Sequence, residues 1–325
     1  MTDLPNADSL RPDAGEVRVG TGARLHFGLL DTVAPFGGVG VMVAGPKTQI
    51  CVRQSAKFQC EEFYEARFRP IAERVQSLLG LDQLPACEIT VEESSPPHHG
   101  LGSGTQLSMA VADGMTSLFK QSISFSELVA LADRGKRSAV GVFGFEKGGL
   151  IFESSTGQES LNSVQRRVAL PSEWRVALFC PKQPAETICG QTEAKQFDQL
   201  QPATQATRER MLQIVNQQLL PAGERGEFAN FAAATQEYNL CSGRLFESVQ
   251  GSPYNGQQVA DLVAQLTSRG AVGVGQSSWG PTVFAWFESE RSATDFCEDL
   301  GDVCDITCIT AVCNSGRQKQ LSNFP

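Results

Sequence analysis

The stretch "SSPPHHGLGSGTQLSMAVADGM", residues 94–115, runs from two prolines through three alternating glycines into an apolar segment. Leu107, Val111 and Met115, with Leu118 beyond them, recur at helical spacing, which predicts a helix directly after the glycines. A glycine-rich turn that opens into a helix leaves backbone N–H groups unpaired at the positive end of the helix dipole, where an anion is stabilised. Gly100, Gly102 and Gly104 remove side chains that would block close approach, and Ser103 and Thr105 add hydroxyl donors. His98 and His99 precede the turn and could donate when protonated. A plain strand-to-helix turn, with glycines serving geometry alone, fits the same spacing. The loop is not a Walker A motif, because no Gly-Lys-Ser/Thr follows, and no β-α-β unit marks it as a dinucleotide fingerprint.

Upstream, "EVRVGTGARLHFGLLD" (16–31) and "GVGVMVAGPKTQICVRQ" (38–54) alternate as strands, and "CEITVEES" (87–94) is a strand feeding the loop. Between them "YEARFRPIAERVQSLLG" reads as a helix ending at Gly80. Downstream, Ser124 and Glu127 form a capping box for a helix expected to stop at Gly135. A short helix in "RSAVGVFGF" and a Gly148–Gly149 turn lead to the strand "GLIFES". The polar "STGQESLNSVQRR" (155–167) reads as a connector. After it come the strand "WRVALFCP", helices near 203–219, 226–248 and in 255–270, the hairpin "AVGVGQSSWGPTVFAWF", a helix, and the strand "DITCITAV". The mixture lacks strict β-α-β alternation. It predicts an α+β chain of two domains, 17–165 and 172–325, behind a disordered tail of residues 1–16.

The 325 residues carry a formal net charge of −9, and 41% are hydrophobic. That balance suits a globular chain with a sizeable core and disfavours a nucleic-acid partner, which needs a basic footprint. No run has the length and apolarity of a membrane span, and the polar N-terminus lacks the pattern of a signal peptide, so a cytoplasmic protein is expected. The ten cysteines form no C-x-x-C pair and are expected to be reduced thiols. Cys297, Cys304, Cys308 and Cys313 fall close together but match no zinc spacing.

Two further segments carry chemistry. On a strand through "GARLHFGLLD", Arg24 and His26 share one face and Leu25 and Phe27 the other. A cation beside an imidazole suits an acidic ligand, and a solvated strand face is the alternative. In "GVGQSSWGPTVFAW", Ser277, Ser278, Trp279 and Gly280 sit at a hairpin tip, where Trp279 either lines a pocket or packs in the core.

The spacing Pro96-x-x-x-Gly100-Leu101-Gly102-Ser103 resembles the central motif of the GHMP kinase superfamily, whose loop wraps the phosphates of ATP. With "ARLHFGLLD…FGGVGVMV", "RSAVGVFGFEKGGLIFE", "ICGQTEAKQF" and "GVGQSSWGPTVFAW", the chain resembles one branch, the β-ribofuranosylaminobenzene 5′-phosphate synthases. The resemblance spans roughly residues 17–316. It implies a two-domain GHMP-kinase-like fold, with a mixed sheet and helices in the N-terminal domain and an α/β sandwich-type C-terminal domain. It also implies a reaction: phosphoribosyl pyrophosphate joined to 4-aminobenzoate, or 4-hydroxybenzoate in some members, with loss of CO2 and pyrophosphate. That is an early step of tetrahydromethanopterin biosynthesis.

One departure from the kinases matters. They generally carry an aspartate in the helix before the paired glycines, and "GKRSAVGVFGFEKGG" has none before Glu146. Arg134, Lys136 and Arg137 stand there instead and suit a substrate rich in phosphate and carboxylate. The expected site is therefore Arg24, His26 and Arg137 at the reacting centre, residues 98–105 on pyrophosphate, and residues 277–280 closing over the substrate. Mg2+ is expected with the pyrophosphate, and a homodimer is implied. A small-molecule kinase using ATP and a non-catalytic sensor on the same fold are the alternatives.

Overall fold

The computed structural model describes residues 15–154, 161–183, 195–197 and 199–322. Residues 1–14 of the expected tail and 188–194 of "ICGQTEAKQF" lie outside the described residues.

Two long strands organise the first half. β1 (Glu16–Leu29) and β2 (Gly38–Gln54) run antiparallel along most of their length. β2 serves two neighbours in turn. Its first residues pair with β5 (Leu150–Ser154), and its last pair with β4 (Cys87–Glu93), beside which the short β3 (Gln59–Cys60) lies parallel. The expected connector is in part a strand: β6 (Ser163–Val168) pairs with β5, because it supplies the antiparallel neighbour that the β5 edge needs. α1 (Glu62–Leu79) ends on left-handed Gly80, as its sequence predicts. α2 (Ser103–Leu118) packs across the sheet and is buried along nearly its whole length. α3 (Phe125–Ala132) opens with the expected capping box, but it closes on Asp133 in the left-handed region rather than at Gly135. α4 (Val140–Lys147) leads to Gly148 and Gly149, both at positive φ.

The second half builds its own antiparallel sheet, in the order β10 (Asp305–Ala311), β7 (Arg175–Cys180), β9 (Val283–Phe287), β8 (Val272–Gln276). α5 (Gln205–Gln213) continues through a π-helical stretch, Ile214–Leu219, into Leu220–Arg225. α6 (Phe228–Arg244), α7 (Gln257–Ser268) and α8 (Glu290–Asp299) complete it. The chain then returns, and β11 (Gln318–Ser322) pairs with β1 at the edge of the first sheet, across the expected domain boundary.

The halves share one core. Leu25, Phe27, Val39 and Val41 pack with Trp174, Val176, Phe231, Tyr238, Phe284 and Trp286. Strand alternation therefore turns Leu25 and Phe27 into the shared core and leaves Arg24 and His26 on the other face of β1.

Candidate active site

The glycine loop enters α2 through Gly102, which sits at a φ of 71°. A Cβ there would come within 3.2 Å of the Arg24 side chain, so glycine brings the loop hard against β1. Leu101 turns its side chain into the core, and its carbonyl accepts the Arg24 N–H at 2.9 Å. Arg24 Nη1 donates to the Gly100 carbonyl at 3.3 Å. The first turn of α2 then presents the N–H groups of Ser103 and Gly104 outward.

Arg67 of α1 lies over this turn: a Cβ on Gly104 would be 3.5 Å from its Nη1. Arg134, just beyond α3, is held by two bonds to Ser108 Oγ, at 3.0 and 3.2 Å. Burial and then the neighbouring Arg67 charge pull the Arg134 guanidinium below its ordinary range. Two like charges acting on one another make this pocket electropositive. Arg24, Arg67, Arg134, His98, Gly100, Gly102, Ser103, Gly104, Thr105, Ser278, Trp279 and Gly280 all border a cavity of about 270 Å³.

A larger cavity of about 530 Å³ adjoins it, and the two share Arg24, Thr105, Arg134, Ser278 and Trp279. Its far side is aromatic: Phe197, Phe246 and Trp279 meet edge to face with centroids 5.1–5.6 Å apart. The Arg137 guanidinium lies 4.4 Å above the Phe197 ring.

His26 also borders the larger cavity, and it is buried. Its Nε2 bonds to Ser138 Oγ at 3.0 Å. Burial first, and then the Arg24 charge, hold its imidazole well below the usual range, so the ring is neutral. Behind it stands Glu153 of β5, fully buried. Burial pushes its carboxyl up to about 7, against the Ser138 hydroxyl, the Ala139 N–H and the Arg24 charge, which favour the ionised form.

The structure gathers most of the expected site residues around the two cavities and sets three apart. Leu101 packs in the core, as above. His99 turns away and bonds Pro97 O at 2.8 Å through Nδ1. Ser277 lies behind the cavity wall, fully buried, with its hydroxyl bridging the His26 N–H and the Gly100 carbonyl. Glu146, the first acid after the basic cluster, is paired with Arg317 and borders neither cavity. Sequence reasoning missed Arg67, Ser138 and Glu153. The only signal for Glu153 was an acid in the apolar run "GLIFES".

The donor set does not fit a metal held by the protein. No carboxylate borders the smaller cavity among the described residues, and no group of three acidic, His or Cys side chains is placed there to bind an ion. No helix among the described residues is long and apolar enough to cross a membrane.

Residues 66–149 match the family model of the GHMP kinases N terminal domain, and residues 219–306 match that of the GHMP kinases C terminal. The chain is 27% identical over 297 residues to beta-ribofuranosylphenol 5′-phosphate synthase of Methanothermobacter thermautotrophicus, covering 83% of this chain and 88% of that one. It is 26% identical to the protein of the same name from Archaeoglobus fulgidus, covering 92% and 98%. The fold resembles L. major mevalonate kinase, with a TM-score of 0.67 at 14% identity over 94% of this chain and 98% of that one. With a GHMP model matched in each half, the same fold, and archaeal synthases similar along most of its length, the chain belongs to the GHMP kinase superfamily.

Proposed function

We propose that this protein transfers the ribose 5-phosphate unit of phosphoribosyl pyrophosphate to the carboxyl-bearing ring carbon of 4-aminobenzoate or 4-hydroxybenzoate, releasing CO2 and pyrophosphate. The observation that carries the reading is the pairing of cavities. A small arginine-lined pocket at a helix N-terminus opens, across a wall of Arg24, Thr105, Ser278 and Trp279, into a larger one with aromatic walls. The names of the archaeal relatives support it and favour the hydroxyl-bearing acceptor.

In this reading the diphosphate lies against Arg67, Arg134 and the N–H groups that open α2, where departing negative charge is stabilised. Mg2+ belongs to the diphosphate as part of that substrate. As the bond to pyrophosphate lengthens, C1 of the ribose gains oxocarbenium character at the shared wall. Arg24, bordering both cavities, pairs with the benzoate carboxylate or the 5-phosphate through its planar fork. Phe197, Phe246 and Trp279 hold the ring flat, so the carboxyl-bearing carbon faces C1. The new C–C bond forms there, the carboxyl leaves as CO2, and its bonding pair restores aromaticity. No covalent enzyme intermediate is needed. A kinase would have to position and activate a hydroxyl, and the arginines of the smaller cavity suit a leaving diphosphate instead. Action in tetrahydromethanopterin biosynthesis, and as a homodimer in the cytoplasm, belongs to the same proposal.

The test is direct. The protein is incubated with phosphoribosyl pyrophosphate, Mg2+ and carboxyl-labelled 4-aminobenzoate or 4-hydroxybenzoate. Labelled CO2 and pyrophosphate are expected in equal amounts. Turnover of ATP with a small alcohol and no labelled CO2 would overturn the reading.

A further inference from the structure

A buried amide oxygen with nothing to bond is costly, because it forfeits the hydrogen bond it had in water. At a cavity wall such an atom is satisfied by what enters the cavity, water or ligand.

Among the described residues, one buried acceptor atom without a hydrogen-bond partner belongs to a residue of the larger cavity: Gln250 Oε1. Gln250 closes the short helical turn Glu247–Gln250, and its backbone N–H bonds Phe246 O at 2.9 Å. Four residues apart on a helical turn, Phe246 and Gln250 share a face, so the amide extends the aromatic wall by one step.

The other amides of the cavity are spent within the protein. Asn239 donates to Phe27 O and Gln276 O and accepts the Gln276 N–H, at 2.7, 2.8 and 3.0 Å. The Gln276 side chain accepts the Asn255 N–H and donates to Ser278 O, each at 2.7 Å. The Ser242 hydroxyl donates to Leu29 O at 2.9 Å, and Ser138 is bonded to His26. Asp133, the one carboxylate bordering the cavity among the described residues, is exposed and paired with Lys136 at 2.9 Å. Arg134, Lys136 and Arg137 carry donors only.

The position of Gln250 says which part of a ligand it meets. Gly243, Phe246, Gln250 and Pro253 border the larger cavity and not the smaller, whereas Arg24 and Trp279 border both. In the transferase reading, C1 and the benzoate carboxyl lie at the shared wall. The ring runs from there between the aromatic side chains, and its para substituent points away from the smaller cavity, toward Gln250.

We propose that Gln250 is a specificity residue for the acceptor: its side-chain oxygen takes a hydrogen bond from the para substituent and so selects a benzoate carrying a para O–H or N–H. This rests on the transferase reading above. Hydroxyl and amine each bring a hydrogen to the same oxygen, so one residue serves either acceptor. A methyl group of similar size fills the same space and offers no hydrogen. It drives water from the amide and leaves the oxygen bare, which is how a site built around a hydrogen bond rejects an isostere.

The test compares binding of 4-hydroxybenzoate, 4-aminobenzoate and 4-methylbenzoate to the full chain by calorimetry, with Mg2+ and pyrophosphate present. Wild type is expected to hold the first two roughly 30-fold more tightly than the third. In Gln250→Met, similar in volume but without the acceptor, that ratio should fall to about threefold or less. Gln250→Leu makes the same comparison should Gln250→Met fail to fold. Gln250→Glu keeps an oxygen acceptor and should retain the preference. A wild type without preference for the para donors overturns the assignment, as does a preference that survives unchanged in Gln250→Met. A preference lost equally in Gln250→Glu points to shape rather than hydrogen bonding and overturns it too. Release of labelled CO2 by the same wild-type preparation separates the assignment from the reading beneath it. A preference lost in Gln250→Met but retained in Gln250→Glu, with no CO2 from wild type, upholds the amide's role and ends the transferase reading. CO2 from wild type with a preference unmoved by Gln250→Met does the opposite.

Discussion

The Ser277 hydroxyl donates to the Gly100 carbonyl across 2.7 Å, tying the C-terminal hairpin to the anion loop. The same oxygen accepts the His26 N–H at 3.0 Å, so one buried side chain fixes loop, hairpin and β1 together. Ser277→Ala takes away the His26 N–H's acceptor, leaves the Gly100 carbonyl with Arg24 alone, and is expected to cost about 2 kcal/mol. Urea unfolding measures the loss, and KM for phosphoribosyl pyrophosphate should rise as the loop loosens. Unchanged stability would show that the bridge contributes nothing.

Glycines of the loop should respond unequally. A Cβ on Gly100 would stand 2.0 Å from the Ser277 carbonyl oxygen, and the residue sits at a φ of 76°. Gly100→Ala must push the hairpin off the loop, so loss of both stability and turnover is expected. At Gly104 the nearest atom would be Arg67 Nη1, in ordinary contact at 3.5 Å. Gly104→Ala replaces a helical glycine and should keep or raise the melting temperature. Thermal unfolding of the two variants side by side decides the point.

The loop and the β1 face were legible because their signals are local. Alternation sets Arg24 and His26 apart from Leu25 and Phe27 within four residues, and glycines mark the turn into α2. Glu153 was not legible, since it becomes a buried acid only when β5 pairs with β2 and Ser138 arrives from before α4. Arg67 sits among the charges of "YEARFR", and nothing local says which of them faces the loop. Ser277 and Ser278 are neighbours with opposite fates, one behind the wall and one in it, because a hairpin tip turns successive side chains to different sides. β11 reads "QKQLS", with no apolar alternation, since it is an edge strand exposed along its length.

The two buried groups should pull stability in opposite directions below neutrality. Folded Glu153 holds its proton up to about 7, well above its ordinary 4.5. Between those values the folded chain binds the extra proton, and stability declines as pH rises. His26 works oppositely. Its folded value lies well below 6.5, so the unfolded chain binds the extra proton and stability declines as pH drops below that point. Glu153→Gln should therefore be more stable than wild type at pH 8, by on the order of 3 kcal/mol, with the advantage gone near pH 4.5. Denaturant titrations across this range test the sign, and a constant difference at all pH values would contradict it.

The arginines should separate by substrate. Arg67→Ala is expected to raise KM for phosphoribosyl pyrophosphate roughly tenfold while sparing KM for the benzoate, since Arg67 borders only the smaller cavity. Arg24→Ala, at the shared wall, should depress kcat/KM for both. Arg24→Lys should recover little, because an ammonium cannot reproduce the fork. Steady-state kinetics with each substrate varied in turn distinguish the two residues.

β11 makes the second half a guest inside the first. Asp113 of α2, buried in the first half, is neutralised by Arg317 and Lys319 at 3.1 and 2.9 Å. During synthesis the first sheet must wait with an open edge and an uncompensated acid until every residue of the second half has left the ribosome. A shortened chain stopping after β6 would keep that unfinished state permanently. Each half is therefore complete only once the whole chain has been made.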